Sequence, residues 1–68
     1  MNKNSLYLTD YEKETIKNEN FYKLIFFDTI TGLVFKTHIH ELTLKNDYLQ
    51  LLTNGNKETI ENLKKAVQ

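Results

Sequence analysis

The stretch "FYKLIFFD", residues 21–28, constrains the fold of this chain more than any other. It is rich in aromatic and branched residues, which favour a β-strand, and both of its alternating faces are apolar. The faces carry three large apolar residues each: Phe21, Ile25 and Phe27 on one, and Tyr22, Leu24 and Phe26 on the other. Only Lys23 interrupts this pattern. A strand that is apolar on both faces has to be covered on both. We therefore expect a helix on one side and a partner or a second layer on the other.

The residues that follow predict a hairpin. The turn "TITG", residues 29–32, is short, and Gly32 can adopt the positive φ that such turns often need. The return strand "LVFKTHIHEL", residues 33–42, alternates between an apolar face and a wetter one. The wetter face carries Val34, Lys36, His38 and His40.

The C-terminal stretch "NKETIENLKKAVQ", residues 56–68, predicts an amphipathic helix. Asn56 is a suitable N-cap, and the early glutamates and late lysines complement the helix dipole. Ile60, Leu63 and Val67 recur at helical spacing and form one apolar stripe that can pack on the sheet.

Residues 44–52 are ambiguous between helix and strand. They fit a short helix, which Thr43 would cap and Gly55 would end. Its apolar positions would be Leu44, Tyr48, Leu51 and Leu52. The alternative is a strand, "YLQLL", that enters an Asn54-Gly55 turn. We favour the helix.

Residues 5–17 also allow strand or helix. Thr9 and Glu12 have the spacing of a helix capping box, although the apolar stripe behind them is poor. A strand over Leu6–Thr9, or a longer one that reaches Ile16 and turns through "KNEN", fits as well.

Together these patterns predict an α+β fold in a single domain, residues 1–68. A small antiparallel sheet, made of the central hairpin (about 21–42) and an N-terminal strand, would be packed by the C-terminal helix. A possible second short helix lies at 44–52. A chain of 68 residues without cysteine has no disulfides and only a small core, so self-association to bury more surface is plausible.

Composition excludes several classes of protein. Nine basic residues balance nine acidic ones, and a net charge of zero argues against a general nucleic-acid binder. No run of 18 apolar residues predicts a membrane span, and the N-terminus has no apolar signal sequence, so we expect a cytoplasmic protein. The nine basic residues are all lysine, and lysine, asparagine and isoleucine belong to AT-rich codons. We therefore suspect an AT-rich bacterium, or one of its phages or plasmids, as the source.

The pair His38 and His40 is the one short stretch that suggests a metal site. Alternate strand positions point two imidazoles the same way, but a competent site needs further ligands of the right kind. Cysteine and a third histidine are absent, Glu41 would point to the opposite face, and Asp28 is the remaining candidate. We therefore interpret the histidines as an exposed or interfacial pair and expect no metal and no other cofactor.

Catalysis has little support in the sequence. Asp10, Glu12 and Glu14 would form one acidic row on a strand, or a solvated first turn on a helix. Ser5 is the sole serine and has no nucleophile motif around it, and phosphate-binding and dinucleotide-binding motifs are missing as well. We expect that the protein is not an enzyme.

The sequence thus favours a small noncatalytic protein-interaction module, and a phage- or plasmid-encoded modulator that binds a host protein is one form that such a module could take. A homodimer is expected, and no membrane partner is. The candidate interaction residues are Phe21, Tyr22, Lys23, Phe26, Phe27, Lys36, His38 and His40. The alternative is a single-stranded nucleic-acid-binding small β-barrel of the OB-like type, which would bind through Tyr22, Lys23, Phe26, Lys36 and Tyr11.

Overall fold

The computed structural model describes residues 5–68. Its sheet has three antiparallel strands in the order β1-β2-β3: β1 (Leu6–Ile16), β2 (Glu19–Asp28) and β3 (Val34–His40). The stretch that is apolar on both faces is therefore the central strand, where neighbours on each side satisfy its backbone. The predicted α+β fold with a central hairpin is confirmed.

The helical residues follow the sheet in the chain. A short helix, α1 (Glu41–Thr43), continues directly into a π-helical turn (Leu44–Tyr48) and a 3₁₀ turn (Leu49–Leu51). We call residues 41–51 the irregular helical segment. The C-terminal helix is α2 (Lys57–Val67). Asn56 caps α2 as predicted, because its side-chain oxygen accepts a hydrogen bond of 3.2 Å from the Thr59 N–H.

Strand β1 takes the longer of the two strand options, and the helix with a capping box at Thr9 and Glu12 is wrong. The chain turns through Lys17 and Asn18, which both have positive φ, at 51° and 67°. Two consecutive residues of this kind form the tight hairpin turn whose twist matches that of the flanking strands. Pairing with β2 along the whole length of β1 outweighs the local helical signal.

The second hairpin turn is the predicted one. Gly32 has a φ of 75°, and its N–H donates to the Asp28 carbonyl at 2.8 Å. The Asp28 carboxylate accepts hydrogen bonds from the Ile30 N–H at 2.9 Å and the Thr31 N–H at 3.3 Å. These bonds lower the pKa of Asp28, with the Ile30 N–H as the largest cause.

The outer edge of β1 is covered where its pairing with β2 is irregular, between Leu8 and Asp10. Residues 54–56 run alongside Leu8 there. The Leu8 N–H donates to the Asn54 carbonyl at 3.0 Å, and the Asn56 N–H donates to the Leu8 carbonyl at 2.9 Å. Gly55 permits this approach, because a Cβ at that position would lie 2.7 Å from the Leu8 carbonyl oxygen.

A short helix follows β3, which excludes the strand alternative, but it begins at Glu41 with His40 as its cap, so the predicted cap at Thr43 is wrong. Of the four predicted apolar positions, Leu44 and Leu52 are buried. Leu49 is buried as well, whereas Tyr48 and Leu51 are 45% and 64% exposed. The cause is the π-helical turn, in which the Leu49 N–H donates to the Leu44 carbonyl five residues earlier. A repeat of five places Leu49 above Leu44 and turns Tyr48 outward.

One hydrophobic core lies between the sheet and all the helical residues. Its buried members are Leu8, Tyr22, Leu24, Ile39, Leu44, Leu49, Leu52, Ile60, Leu63 and Val67. The Tyr22 hydroxyl donates to the Ala66 carbonyl at 3.4 Å and so reaches the last turn of α2. Both α2 and the irregular helical segment therefore pack on the sheet face that carries Tyr22 and Leu24.

Candidate interaction surface

The second face of the sheet is left without a covering element from residues 5–68. Strand register places four side chains of each strand on it, in four rows across the sheet. We call this surface the open face. Its residues are Tyr7, Asp10, Glu12 and Glu14 from β1, Phe21, Lys23, Ile25 and Phe27 from β2, and Val34, Lys36, His38 and His40 from β3.

Charge is sorted by strand on the open face. One row, made of Tyr7, Phe27 and Val34, has no charge, and the other three rows have charged or titratable residues at both edges. In these three rows the outer strand β1 contributes carboxylates, and the opposite outer strand β3 contributes a lysine and two histidines. Row by row, the flanking pairs are Asp10 with Lys36, Glu12 with His38, and Glu14 with His40. The result is an acidic edge on β1 and, on β3, an edge of one lysine and two histidines, and the histidines carry a charge only when protonated.

Ion pairs cross the middle of this surface. Lys23 Nζ lies 3.0 Å from Glu12 Oε2 and 4.0 Å from Glu14 Oε1. The hydrogen bond to Glu12 is the largest cause of the raised pKa of Lys23. His38 Nε2 lies 3.5 Å from Glu14 Oε2, so the acidic edge is already linked to both other strands.

The second histidine has a different environment. His40 Nδ1 accepts a hydrogen bond of 3.2 Å from the Leu42 N–H and so caps α1. A nitrogen that accepts this bond carries no proton, which leaves the proton on Nε2, 3.7 Å from Glu19 Oε1. The ring also meets Phe21 edge to face, with centroids 5.1 Å apart. His40 therefore fixes the junction between sheet and helix.

The far end of the open face is apolar. Phe27 is 37% exposed and Val34 61%, and they lie in one row with Tyr7. The half-buried Ile25 adjoins them in the next row. The tip of the hairpin extends this apolar end with the exposed side chains of Ile30 and Leu33.

A groove lies on the helix-covered side, between the sheet and the irregular helical segment. Phe26 forms its floor, and Tyr48 and Leu51 stand at its rim. The groove has a volume of about 860 Å³ and is open to solvent. A smaller hollow beside it, next to β3, shares Phe26, Thr43 and Tyr48.

The structure separates the predicted interaction residues into two groups. Six lie together on the open face: Phe21, Lys23, Phe27, Lys36, His38 and His40. Tyr22 is fully buried under α2, and burial is the largest cause of its raised pKa, followed by the nearby charge of Glu41. Phe26 is half-buried on the same side, at the floor of the groove. Neither of these two contributes to the open face.

Sequence reasoning placed no importance on the acidic residues that complete this surface. Asp10, Glu12 and Glu14 were expected to be an acidic row if the segment was a strand, and that is what they form. The signal was their strict alternation with Tyr11 and Lys13. Its meaning depended on knowing that β1 lies beside β2 with Glu12 next to Lys23.

The chemistry available on the open face is that of charge and apolar contact. Each histidine has its own carboxylate neighbour, and residues 5–68 contain no group of three metal-ligating side chains. The two carboxylates that the sequence analysis considered as further ligands lie elsewhere: Asp28 is at the opposite end of β2 from His40, and Glu41 begins α1. Glu12 and Glu14 are held by Lys23 on a surface open to solvent.

The chain matches no protein-family model, no curated protein and no solved structure. Within the part of the chain that the structure describes, neither helix has the length and the apolar run that crossing a bilayer requires.

Proposed function

We propose that this protein is a small noncatalytic interaction module that binds a protein partner through the open face. The observation that supports this proposal is the placement of α2 and the irregular helical segment on the same side of the sheet. That arrangement leaves the apolar residues on the other side of β2 uncovered by any element of residues 5–68, so a partner protein can contact them.

The energetics favour covering this surface. Burial of apolar area contributes about 25 cal/mol per Å². Phe27 and Val34 are both exposed in a domain whose stability margin is small. Exposed apolar side chains next to an unpaired edge strand also carry a risk of aggregation. A partner that covers them removes this risk, and the ordered charges of the surrounding rows would select which partner fits.

The same surface does not favour catalysis. General acid–base chemistry needs a carboxyl group in a partly dry, concave site, where its pKa can move toward neutrality. Glu12 lies on a flat sheet face, is 56% exposed and is paired with Lys23. Recognition of a partner, in contrast, needs only charged side chains at fixed positions on an accessible surface, and Glu12 and Lys23 provide these.

The coding bias toward lysine and asparagine supports a setting in an AT-rich bacterium or in its phages or plasmids. A small protein built around one recognition surface would suit the role of a modulator that binds a host protein in the cytoplasm. The partner would present an apolar patch flanked by charges of both signs.

Affinity capture tests the proposal. Tagged protein would be incubated with a lysate of its source cells, with and without nuclease treatment, and compared with Phe27→Lys on the open face. Leu51→Lys is the matched control, because it places the same charge at an exposed apolar position on the helix side.

We expect the same bound protein with wild type and Leu51→Lys, in both nuclease conditions, and its loss with Phe27→Lys. Circular dichroism would first establish that all three proteins are folded. Capture that survives Phe27→Lys, or that disappears on nuclease treatment, would contradict the proposal.

A further inference from the structure

We infer that the open face pairs with the open face of a second copy of this chain. The inference rests on the proposed function, because it places a second copy on the same surface, and a host protein would have to displace that copy in order to bind. The two sheets would be related by a twofold axis that runs parallel to β2 and lies between them. The open face is self-complementary under that operation and under no other that keeps the strands aligned.

Charge sorting by strand decides the orientation. A twofold axis along β2 exchanges the left and right edges of the sheet and keeps each row at its own level. The acidic strand β1 of one copy then lies over strand β3 of the other, which carries Lys36 and the two histidines. Asp10 faces Lys36 of the second copy, and Glu12 faces its His38. A twofold axis across the strands would instead place carboxylates over carboxylates, which is repulsive.

The apolar end is compatible with the same axis. Because each row keeps its level, Phe27 and Ile25 lie over Phe27 and Ile25 of the second copy, and Tyr7 lies over Val34. Apolar area therefore meets apolar area, with the packing of two aligned sheets about 10 Å apart. Lys23 is the one like-charged pair near the axis, and Glu12 of its own chain, at 3.0 Å, offsets that charge.

The size of the surface sets the expected affinity. Three strands and four rows span about 15 Å by about 25 Å, from the usual strand and residue spacings. This footprint of about 375 Å² is well below the roughly 800 Å² per partner that stable interfaces bury, so the contact would be weak. We therefore expect a dimer with a dissociation constant in the micromolar range, and one that weakens as salt screens the paired rows.

Charge exchange tests this arrangement. The samples are Asp10→Lys alone, Lys36→Asp alone, an equal mixture of the two single variants, and the double variant that carries both changes in one chain. Analytical ultracentrifugation at low ionic strength would measure the dissociation constant of each dimer. Asp47→Lys and Lys45→Asp are the matched controls, because they make the same charge changes at exposed positions of the irregular helical segment. Circular dichroism would establish that each variant is folded.

Each single variant creates two like-charge contacts in a dimer, and we expect its dissociation constant to rise about tenfold. The mixture and the double variant both restore opposite charges at both contacts, so we expect their dissociation constants to return close to wild type. The two controls should dimerise like wild type.

Three results would overturn the inference: a wild-type chain that stays monomeric at high micromolar concentration, single variants that dimerise normally, or a double variant that fails to recover. The first would leave the proposed function standing if affinity capture still depends on Phe27, since another protein would then occupy the open face. Capture that survives Phe27→Lys would, in contrast, count against the proposed function and would not by itself test the dimer.

Discussion

His38 on β3 and Glu14 on β1 approach to 3.5 Å, between Nε2 and Oε2, across the full width of the central strand. This contact gives the first histidine of the "HIH" stretch a carboxylate partner from the far edge of the sheet. The second histidine, His40, is bonded instead to the start of α1 through Nδ1. The two imidazoles thus have separate structural roles, although they share one face.

The first prediction is that zinc and nickel bind weakly. The two histidines have no third ligand close by in the part of the chain that the structure describes, and an imidazole pair alone is a poor site. Isothermal titration calorimetry should show no stoichiometric binding at sub-micromolar affinity. His38→Ala combined with His40→Ala should leave the protein folded, with a small loss of stability from the helix cap of about 0.5–2 kcal/mol. Tight zinc binding that this double variant abolishes would contradict the prediction.

Much of the fold follows from periodicity in the sequence. Strand β2, the glycine-containing hairpin turn and α2 were predictable because each has a strong pattern: alternation, a residue suited to positive φ, or a capped helical stripe. The side on which Lys36 and the two histidines lie followed from the same alternation.

Other features depend on contacts that a single sequence does not display. Lys17 is an unusual residue for a turn with positive φ, and the pairing of β1 with β2 imposes that conformation. The π-helical turn shifts the buried position from Tyr48 to Leu49, which helical spacing alone would not reveal. Which side of the sheet the helices cover was also open, since both faces of β2 are apolar, and this choice decides what the open face contains.

The second prediction concerns Gly55. Gly55→Ala should lower the free energy of unfolding by about 1–3 kcal/mol, because the new Cβ would press on the backbone of Leu8. Hydrogen exchange at the Leu8 N–H, which donates to Asn54 at 3.0 Å, should accelerate selectively. Chemical denaturation and amide exchange by NMR measure the two effects.

Gly32→Ala is the matched control for this variant. Space around Gly32 is open and only its φ of 75° resists a side chain, so we expect a loss of about 1–2 kcal/mol. Exchange at the Leu8 N–H should keep its wild-type rate relative to global unfolding. Equal effects of both glycine variants on that amide would argue against the close approach of residues 54–56 to β1.

The third prediction is a pH dependence that arises from Asp28. Hydrogen bonds from the Ile30 N–H and then the Thr31 N–H lower the pKa of this carboxyl in the folded state. Its contribution to stability is therefore complete above the ordinary aspartate pKa and is lost as the pH falls through the lowered value. Asp28→Asn should be less stable than wild type at neutral pH, and the difference should shrink below about pH 4.

Urea denaturation at a series of pH values measures this difference. Asp47→Asn, which removes an exposed carboxylate from the irregular helical segment, is the control. A difference between wild type and Asp28→Asn that is unchanged down to the lowest pH would contradict the assigned role of Asp28.

The fourth prediction concerns the contribution of Tyr22 to stability, and it separates the hydrogen bond of the hydroxyl from the burial of the ring. Tyr22→Phe should cost about 0.5–1.5 kcal/mol, through loss of the 3.4 Å hydrogen bond to Ala66. Tyr22→Ala should cost about 3–5 kcal/mol, because it removes a fully buried ring from the core. Thermal unfolding followed by circular dichroism measures both. A folded Tyr22→Ala protein of near-normal stability would contradict the position of this ring beneath α2.

The last prediction is that single-stranded nucleic acid binds weakly, with an affinity that falls as salt is raised. The sheet has three strands among residues 5–68 and forms no closed barrel. On the open face, the exposed ring on which a base could stack is that of Phe27. There Lys23 is already paired with Glu12 and Glu14, and the acidic edge would repel phosphates. Lys36 is the main basic contact that this face offers a phosphate.

Fluorescence anisotropy with labelled single-stranded DNA measures this affinity. Because Tyr22 is buried, the informative variants are Phe27→Ala, which removes an exposed ring, and Lys36→Ala, which removes the cation nearest to it in the next row. Lys45→Ala, on the irregular helical segment, is the matched control for lost charge. Tight binding that survives about 200 mM salt and is abolished by Phe27→Ala would favour the nucleic-acid alternative over a protein partner, because stacking resists salt and phosphate contacts do not.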